Sequence, residues 1–206
     1  MSINVTRLPV GPLSTNCYLV SDQSGKGYII DPGFEAEKII RSVQANDVSI
    51  QAILLTHGHY DHVLAAGEVA TILQIPVWIH SQDLLLAQEA PKAAQYSSLR
   101  SATQLTDMQL LDVSHPDIRL DKLIMQIIYT PGHTPGSVCY LIDNLLFSGD
   151  TLFRLSIGRT DLPGGSFEQI KKSLAKLIAL PNTVTVYPGH GEITDLAFEK
   201  QHNPFI

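Results

Sequence analysis

The sequence predicts an α/β fold built from layered sheets and helices. Three observations carry that prediction. Short β-rich runs alternate with helical patterns along the chain. The two halves echo one another, each with several strands, then a helix, then a strand. Four apolar runs end alike, on a Gly or Pro turn that delivers a histidine or an aspartate. Alternating strands and helices bury sheet faces against helix stripes. The echo hints at two similar sheets packed face to face with helices outside.

In chain order, Ile3 to Val10 reads as a strand, followed by the turn-rich GPLSTN. Cys17–Val20 and Tyr28–Ile30 are the next strands, the second ending at Asp31-Pro32-Gly33. Glu35 to Val43 has helical spacing, and Ala52–Leu55 is a short buried strand. Leu64 to Leu73 reads as a helix and Val77–Ile79 as a strand. The Ala-, Gln- and Leu-rich stretch from Ser81 to Thr106 reads as short helices. Strands resume at Leu123–Tyr129, Val138–Ile142 and Leu145–Phe147. Phe167 to Leu180 is an amphipathic helix with Pro181 just past its end, and Val184–Tyr187 is the last strand.

A chain of 206 residues suits one domain spanning 1–206, or two pseudo-symmetric halves sharing a core, and can bury that core without staples. The net charge is −6 with no Lys/Arg run, which argues against a nucleic-acid or membrane-surface role. A local basic pocket for an anionic substrate remains compatible with it. Cys17 and Cys139 sit inside apolar runs and read as small core residues, not a disulfide framework. No basic segment leads into a long apolar stretch at the N-terminus, and no apolar run approaches the roughly 20 residues of a membrane helix. A cytoplasmic setting is the expectation.

The chemistry lies at the four strand ends. Ile53-Leu54-Leu55 runs into THGHYDH (Thr56 to His62), and Ile127-Ile128-Tyr129 into Thr130-Pro131-Gly132-His133. Leu145-Leu146-Phe147 runs into Ser148-Gly149-Asp150, and the strand ending at Tyr187 into Pro188-Gly189-His190. Loops at one edge of a sheet are where α/β proteins build sites. If the four ends share an edge, seven ligand-type side chains converge: His57, His59, Asp61, His62, His133, Asp150 and His190.

His57 and His59 are two apart, so in extended backbone they point the same way and can pinch one ion. Gly58 gives the backbone latitude to turn between them. Asp61 and His62 face a neighbouring point as the chain enters a helix. Burying three histidines and an aspartate within six residues would be costly without a metal. Imidazoles with carboxylates suit Zn²⁺, although iron, nickel and copper also take imidazole. Seven ligands exceed one tetrahedral shell and fit two divalent ions sharing a carboxylate. Such a pair, about 3.5–4 Å apart, can hold a bridging hydroxide and polarise a carbonyl. His80, His115 and His202 read as structural histidines.

These motifs resemble the metallo-β-lactamase superfamily, and its glyoxalase II branch most of all. The matching pieces are Asp31-Pro32-Gly33, THGHYDH, TPGHTPGS (Thr130 to Ser137), SGDTLF (Ser148 to Phe153) and Pro188-Gly189-His190, in the family's order and across nearly the whole chain. The resemblance implies a four-layer αββα sandwich of two mixed β-sheets flanked by helices. It implies one ion on His57, His59 and His133, a second on Asp61, His62 and His190, and Asp150 bridging them. Asp61 is the expected catalytic residue, binding its ion and helping to orient the hydroxide. Asp31 is expected either to orient a loop or ligand from behind the site or to be a turn residue before Pro-Gly. Zinc is the expected metal, with iron or manganese as alternatives.

The implied substrate is S-lactoylglutathione or a related small thioester or ester, with no protein nucleophile. β-Lactamases of this fold usually carry Arg or Cys where His62 stands and Cys or Ser in place of Asp150, and the chain is unlike them. It departs from typical glyoxalase II in three ways. It ends at Ile206, soon after the last ligand, without a helical C-terminal domain. The G-C-G-K-F-Y stretch reads Ser156-Ile157-Gly158-Arg159-Thr160-Asp161, so Arg159 replaces its Lys and Asp161 its Tyr. G-H-E-Y reads Gly189-His190-Gly191-Glu192, without its Tyr. Arg159 reads either as a contact for a substrate carboxylate or as a partner of Asp161. The GRTD stretch also resembles persulfide dioxygenases of the same fold, whose single iron would map to His57, His133 and Asp150.

Overall fold

A computed structural model describes residues 2–96, 105, 108–114, 117–120 and 123–206. Strands β1 (Asn4–Val10), β2 (Thr15–Ser21) and β3 (Lys26–Ile30) pair as an antiparallel meander. From there the first sheet continues in parallel. A parallel neighbour needs a crossover. Helix α1 (Ala36–Ala45) carries the chain to β4 (Ser49–Leu54). The short α2 (Tyr60–Val63) and α3 (Ala66–Leu73) carry it to β5 (Val77–His80). The 3₁₀ turn η1 (Ser81–Asp83) and α4 (Leu84–Tyr96) precede β6 (Met108–Leu111), giving the order β1-β2-β3-β4-β5-β6.

The second half repeats the scheme. β7 (Asp117–Leu120), β8 (Leu123–Tyr129), β9 (Val138–Ile142) and β10 (Leu145–Gly149) are antiparallel neighbours. A small hairpin, β11 (Leu152–Phe153) and β12 (Ser156–Ile157), precedes the crossover helix α5 (Phe167–Ile178). β13 (Thr185–Pro188) then joins β10 in parallel, and β14 (Thr194–Asp195) and α6 (Leu196–His202) close the chain. The order is β14-β13-β10-β9-β8-β7.

Period-two alternation sorts the strand residues into layers. Tyr18 and Val20 of β2 meet Val138, Tyr140 and Phe147 in the core between the sheets. Their neighbours Cys17 and Leu19 face the other way, onto Ile39 and Val43 of α1 and Val69 of α3. Cys139 and Leu146 likewise face Leu174 and Leu177 of α5 and Leu196 of α6. The result is helices, sheet, sheet, helices: the four-layer αββα arrangement with two mixed sheets. The inter-sheet core draws residues from both halves.

Several elements differ from the sequence reading. β6, β7, β11, β12, β14, α2 and α6 have no counterpart in it. All are two to seven residues long, too short for periodicity to show, and depend on neighbours for pairing or capping. The expected short helices after Ser81 are η1 and one 13-residue helix, α4, which carries Pro91 inside it. Proline lacks a backbone donor and breaks the pattern in sequence, yet the helix runs through it. Residues 97–104 and 106 of that stretch, and His115, lie outside the described residues. Both cysteines are buried and free. Among the described residues no helix is long and apolar enough to cross a membrane.

One buried hydrogen bond ties the two sheets at the head of the site: the Tyr140 hydroxyl donates to the Leu55 carbonyl at 2.7 Å. Tyr140→Phe removes the donor and leaves the carbonyl short of a partner, so it should cost about 1–2 kcal/mol of folding stability. Urea denaturation of the metal-free protein measures this, and an unchanged midpoint would show that the bond contributes nothing.

Candidate metal centre

The four strand ends do share one rim. β8, β10 and β13 run in the same direction in the second sheet, and β4 brings THGHYDH to them from the first. Backbone bonds lace the turns together: Val138 N donates to Thr56 O at 2.8 Å, Gly189 N to Gly149 O at 2.8 Å, and Asn16 N to Gly189 O at 2.7 Å. All seven expected ligand residues meet there.

They form two groups with a carboxylate between. Ligand atoms of His57, His59 and His133 lie within 4.8 Å of one another, as do those of Asp61, His62 and His190. Asp150 reaches toward both. Its Oδ1 is 3.4 Å from His62 Nε2, and its Oδ2 is 3.4 Å from His133 Nε2 and 3.7 Å from His190 Nε2. Donor atoms of a tetrahedral zinc shell stand about 3.3 Å apart, given bonds of about 2.0–2.1 Å. The spacings match that shell.

The rings are turned to present nitrogen inward. A ring nitrogen bound to the surroundings leaves the other free as a ligand. His57 Nδ1 lies 3.0 Å from Thr56 Oγ1, His62 Nδ1 2.9 Å from Asp31 Oδ2, His133 Nδ1 2.8 Å from the Arg159 carbonyl, and His190 Nδ1 3.2 Å from the Leu13 carbonyl. All four therefore aim Nε2 at the centre. His59 is the exception, with Nδ1 2.9 Å from His133 Nε2. His57 Nε2 and Asp150 Oδ1 are buried without a hydrogen-bond partner. Such orphans cost about 1–3 kcal/mol each, and a cation is the partner that both atoms lack. The residues present fit metal ions.

Charge divides the two groups. Burial, reinforced by the neighbouring His62 and His133, holds His57 well below the usual histidine range. Burial and His133 pull His59 down to about 4. Burial also acts against a charged His62, but Asp61, Asp150 and Asp31 outweigh it and raise its pKa well above the usual range. His190 is raised as well, burial being outweighed by its bond to Asp61 and by Asp150. Burial opposes ionisation of Asp61 and Asp150, yet the adjacent histidines hold both below the usual carboxylate range.

Other expected residues fall as follows. Asp31 is no idle turn residue: Oδ1 accepts from Thr56 N at 2.8 Å, while Oδ2 accepts from Thr56 Oγ1 at 2.6 Å and meets His62. Arg159 lines the cleft and also makes a two-point pair with Asp161, Nε to Oδ1 at 2.8 Å and Nη2 to Oδ2 at 2.7 Å. His80 stacks on Tyr129 and His202 on Phe198, and neither belongs to a ligand group. Gly58 needs a different explanation from turning freedom: a side chain there would run into Asp83 O at 2.8 Å and Ala87 N at 2.9 Å.

Sequence reasoning missed the supports. Thr15 Oγ1 donates to Asp61 Oδ2 at 3.0 Å, and buried Asp83 accepts from the backbone of Gly58. Neither belongs to a ligand motif, although Asp83 also stands just past a strand end. The cleft over the centre is about 430 Å³, walled by Leu13, Tyr60, Phe153, Ile157 and Leu162. The wall formed by β11 and β12 is held from behind by α6. Buried Glu199 accepts from Leu155 N at 2.9 Å, and Asn203 Nδ2 donates to Ser156 O at 3.1 Å.

Fold and rim together define a metal-dependent hydrolase. Residues 10–190 match the metallo-beta-lactamase superfamily, and the chain belongs to that family. It is 34% identical to hydroxyacylglutathione hydrolase GloC of Haemophilus influenzae, across 99% of this chain and 98% of that protein. Among solved structures it is similar to the BLEG-1 B3 metallo-beta-lactamase (TM-score 0.91, 35% identity, covering 98% of this chain and 99% of that one). It is also similar to TTHA1623 in a di-iron-bound form (0.90, 39%, 98% and 100%) and to ETHE1 from Myxococcus xanthus (0.80, 29%, 98% and 83%).

Protons compete with ions for these nitrogens, and the sign differs between groups. His57 and His59 are already neutral at pH 7, so an ion displaces no proton from them. The carboxylates raise the pKa values of His62 and His190, so these rings hold protons more tightly against an incoming ion than His57 and His59 do. Loading the Asp61, His62 and His190 group should release more protons and weaken more steeply as pH falls from 8 to 6. Calorimetric metal titration in buffers of different ionisation enthalpy counts those protons, and equal release at both groups would refute the assignment.

Proposed function

We propose that the chain is a binuclear thioesterase of the glyoxalase II type, cleaving S-lactoylglutathione or related small thioesters. The observation that carries the reading is Asp150, whose Oδ2 stands between the two ligand groups, near His133 and His190, while its Oδ1 faces His62. One ion is assigned to His57, His59 and His133 and the other to Asp61, His62 and His190, with Asp150 shared. Zinc suits this nitrogen-rich donor set, and iron and manganese are the alternatives. Bound ions would supply Lewis acidity and a water acidic enough to be a nucleophile at neutral pH.

The chain's own residues do the rest. Asp61, held by Thr15, offers an acceptor that orients the attacking water. Asp31 fixes the ring of His62, and the Arg159 carbonyl fixes that of His133. Leu13, Tyr60, Phe153 and Ile157 shield the scissile group from bulk water. Among the described residues, neither Ser137 nor Cys139 is poised as a nucleophile. Ser137 is buried and bonded to Thr134, and burial pushes the Cys139 thiol up to about 11. Arg159 gives the cleft wall a cation for an anionic leaving group, once its pair with Asp161 is exchanged. Likeness to the Haemophilus enzyme supports this substrate class. A mononuclear-iron persulfide dioxygenase is the second reading, favoured by the GRTD stretch, whose Arg159 carbonyl supports His133.

Metal analysis joined to parallel assays separates these readings. Zinc-loaded protein should hydrolyse S-lactoylglutathione with poor saturation, other small thioesters competing. Oxygen uptake on glutathione persulfide by iron-loaded protein, without thioester turnover, would establish the second reading instead, and β-lactam turnover alone would overturn both. Asp150→Ala should lose at least one ion and nearly all activity while the circular dichroism spectrum stays folded. Two retained ions with near-normal turnover would exclude the bridging role. Arg159→Ala should raise KM for anionic thioesters more than it lowers kcat, with uncharged thioesters unaffected.

A further inference from the structure

Asp83 is fully buried at the end of η1, just beyond β5. Its Oδ2 accepts from Gly58 N at 2.9 Å and from Thr134 Oγ1 at 2.6 Å, and its Oδ1 accepts from Gly136 N at 2.7 Å. Gly58 stands between His57 and His59, and Thr134 directly follows His133. One carboxylate thus grips both loops that carry the three-histidine group, one loop from each sheet. The approach is built in on both sides. A side chain at Gly136 would come within 2.6 Å of Asp83 Oδ1, and one at Gly58 within 2.8 Å of Asp83 O. The other group is supported by different residues, Asp61 by Thr15, His62 by Asp31 and His190 by Leu13.

We propose that Asp83 is a positioning residue that sets the spacing of His59 and His133, and so controls the affinity of the His57, His59 and His133 subsite separately from the other. The inference rests on the ligand assignment proposed above. His59 Nδ1 and His133 Nε2 are 2.9 Å apart across 74 residues of chain, so no local geometry fixes their separation. Three donors converge on the Asp83 carboxyl, two from the backbone and one from Thr134, and together they tie the two loops to one point. Residues that orient metal ligands typically change affinity ten- to a hundredfold when replaced. Asparagine keeps the shape but turns an NH₂ group toward donors that need an acceptor.

Cobalt(II) titration of the metal-free protein, followed by its visible absorption and by competition with a chelator, is the test. His59→Ala and His190→Ala identify the spectral signature of each subsite by deleting one at a time. Asp83→Asn should weaken the three-histidine subsite about tenfold or more and leave the other within about twofold. Thr134→Val, which removes one of the three donors and leaves Asp83 in place, should shift the same subsite by less. Unchanged affinities in both variants, or an equal fall at both subsites, would overturn the proposal. If Asp83→Asn does not fold, Thr134→Val decides: a wild-type ratio of affinities refutes it. A wild-type protein that binds one ion or none would refute the ligand assignment itself, which is a different outcome.

Discussion

The rim depends on one close approach. His59 and His133 come from loops on opposite sheets, and their facing nitrogens stand 2.9 Å apart. Neither loop has a core of its own to hold it. The packing of the two sheets, through Tyr18, Val138, Tyr140 and Phe147, and the bonds that cross between them at Thr56 and Leu55 bring the two loops face to face, where the Asp83 carboxylate joins them. Close-packed cores transmit small changes in volume as displacement. The apolar layer between the sheets therefore acts as the gauge block for the chemistry above it.

That placement works against folding. Five imidazoles and three carboxylates crowd a largely buried rim, with His57 Nε2 and Asp150 Oδ1 lacking partners. Burying polar groups unpaired is costly. The structure limits the cost by tying off the outward nitrogen of four rings and by setting His62 among Asp31, Asp61 and Asp150. The remaining frustration is concentrated where positive charge would relieve it. A site in which stability is given up for function is where local rules of good packing are expected to fail.

The parts that hold ligands and the parts that shape the cleft are physically distinct. The seven rim side chains ride on the turns and the short α2 that follow β4, β8, β10 and β13. The cleft wall of Phe153, Ser156 and Ile157 rides on a two-residue-strand hairpin whose support comes from Glu199 and Asn203 at the far end of the chain. Walls of this kind can vary without disturbing the chemistry beneath them, which is how one fold serves many substrates.

The sequence by itself determined the layered α/β class, the principal strands and the seven side chains that meet at the rim. Each is a local signal: the continuous apolar run of β2, helical spacing of Ile170, Leu174 and Leu177 in α5, or His-x-His-x-Asp-His within six residues. The family's motifs implied how those side chains divide into two groups, which spacing alone left open. Tertiary structure decided the rest. It decided which nitrogen each ring turns inward, that Arg159 pairs with Asp161 while lining the cleft, that Gly58 is small because Asp83 lies against it, and that α6 braces a wall made 40 or more residues earlier (Glu199 to Leu155 spans 44). Apart from the Arg159–Asp161 pair, which is two residues apart and was one of two readings open in the sequence, the main physical reason is distance along the chain. Period and propensity report what a residue's near neighbours do, whereas the carboxylate of Asp83 is defined by Gly58, Thr134 and Gly136, which meet it only after two sheets have packed.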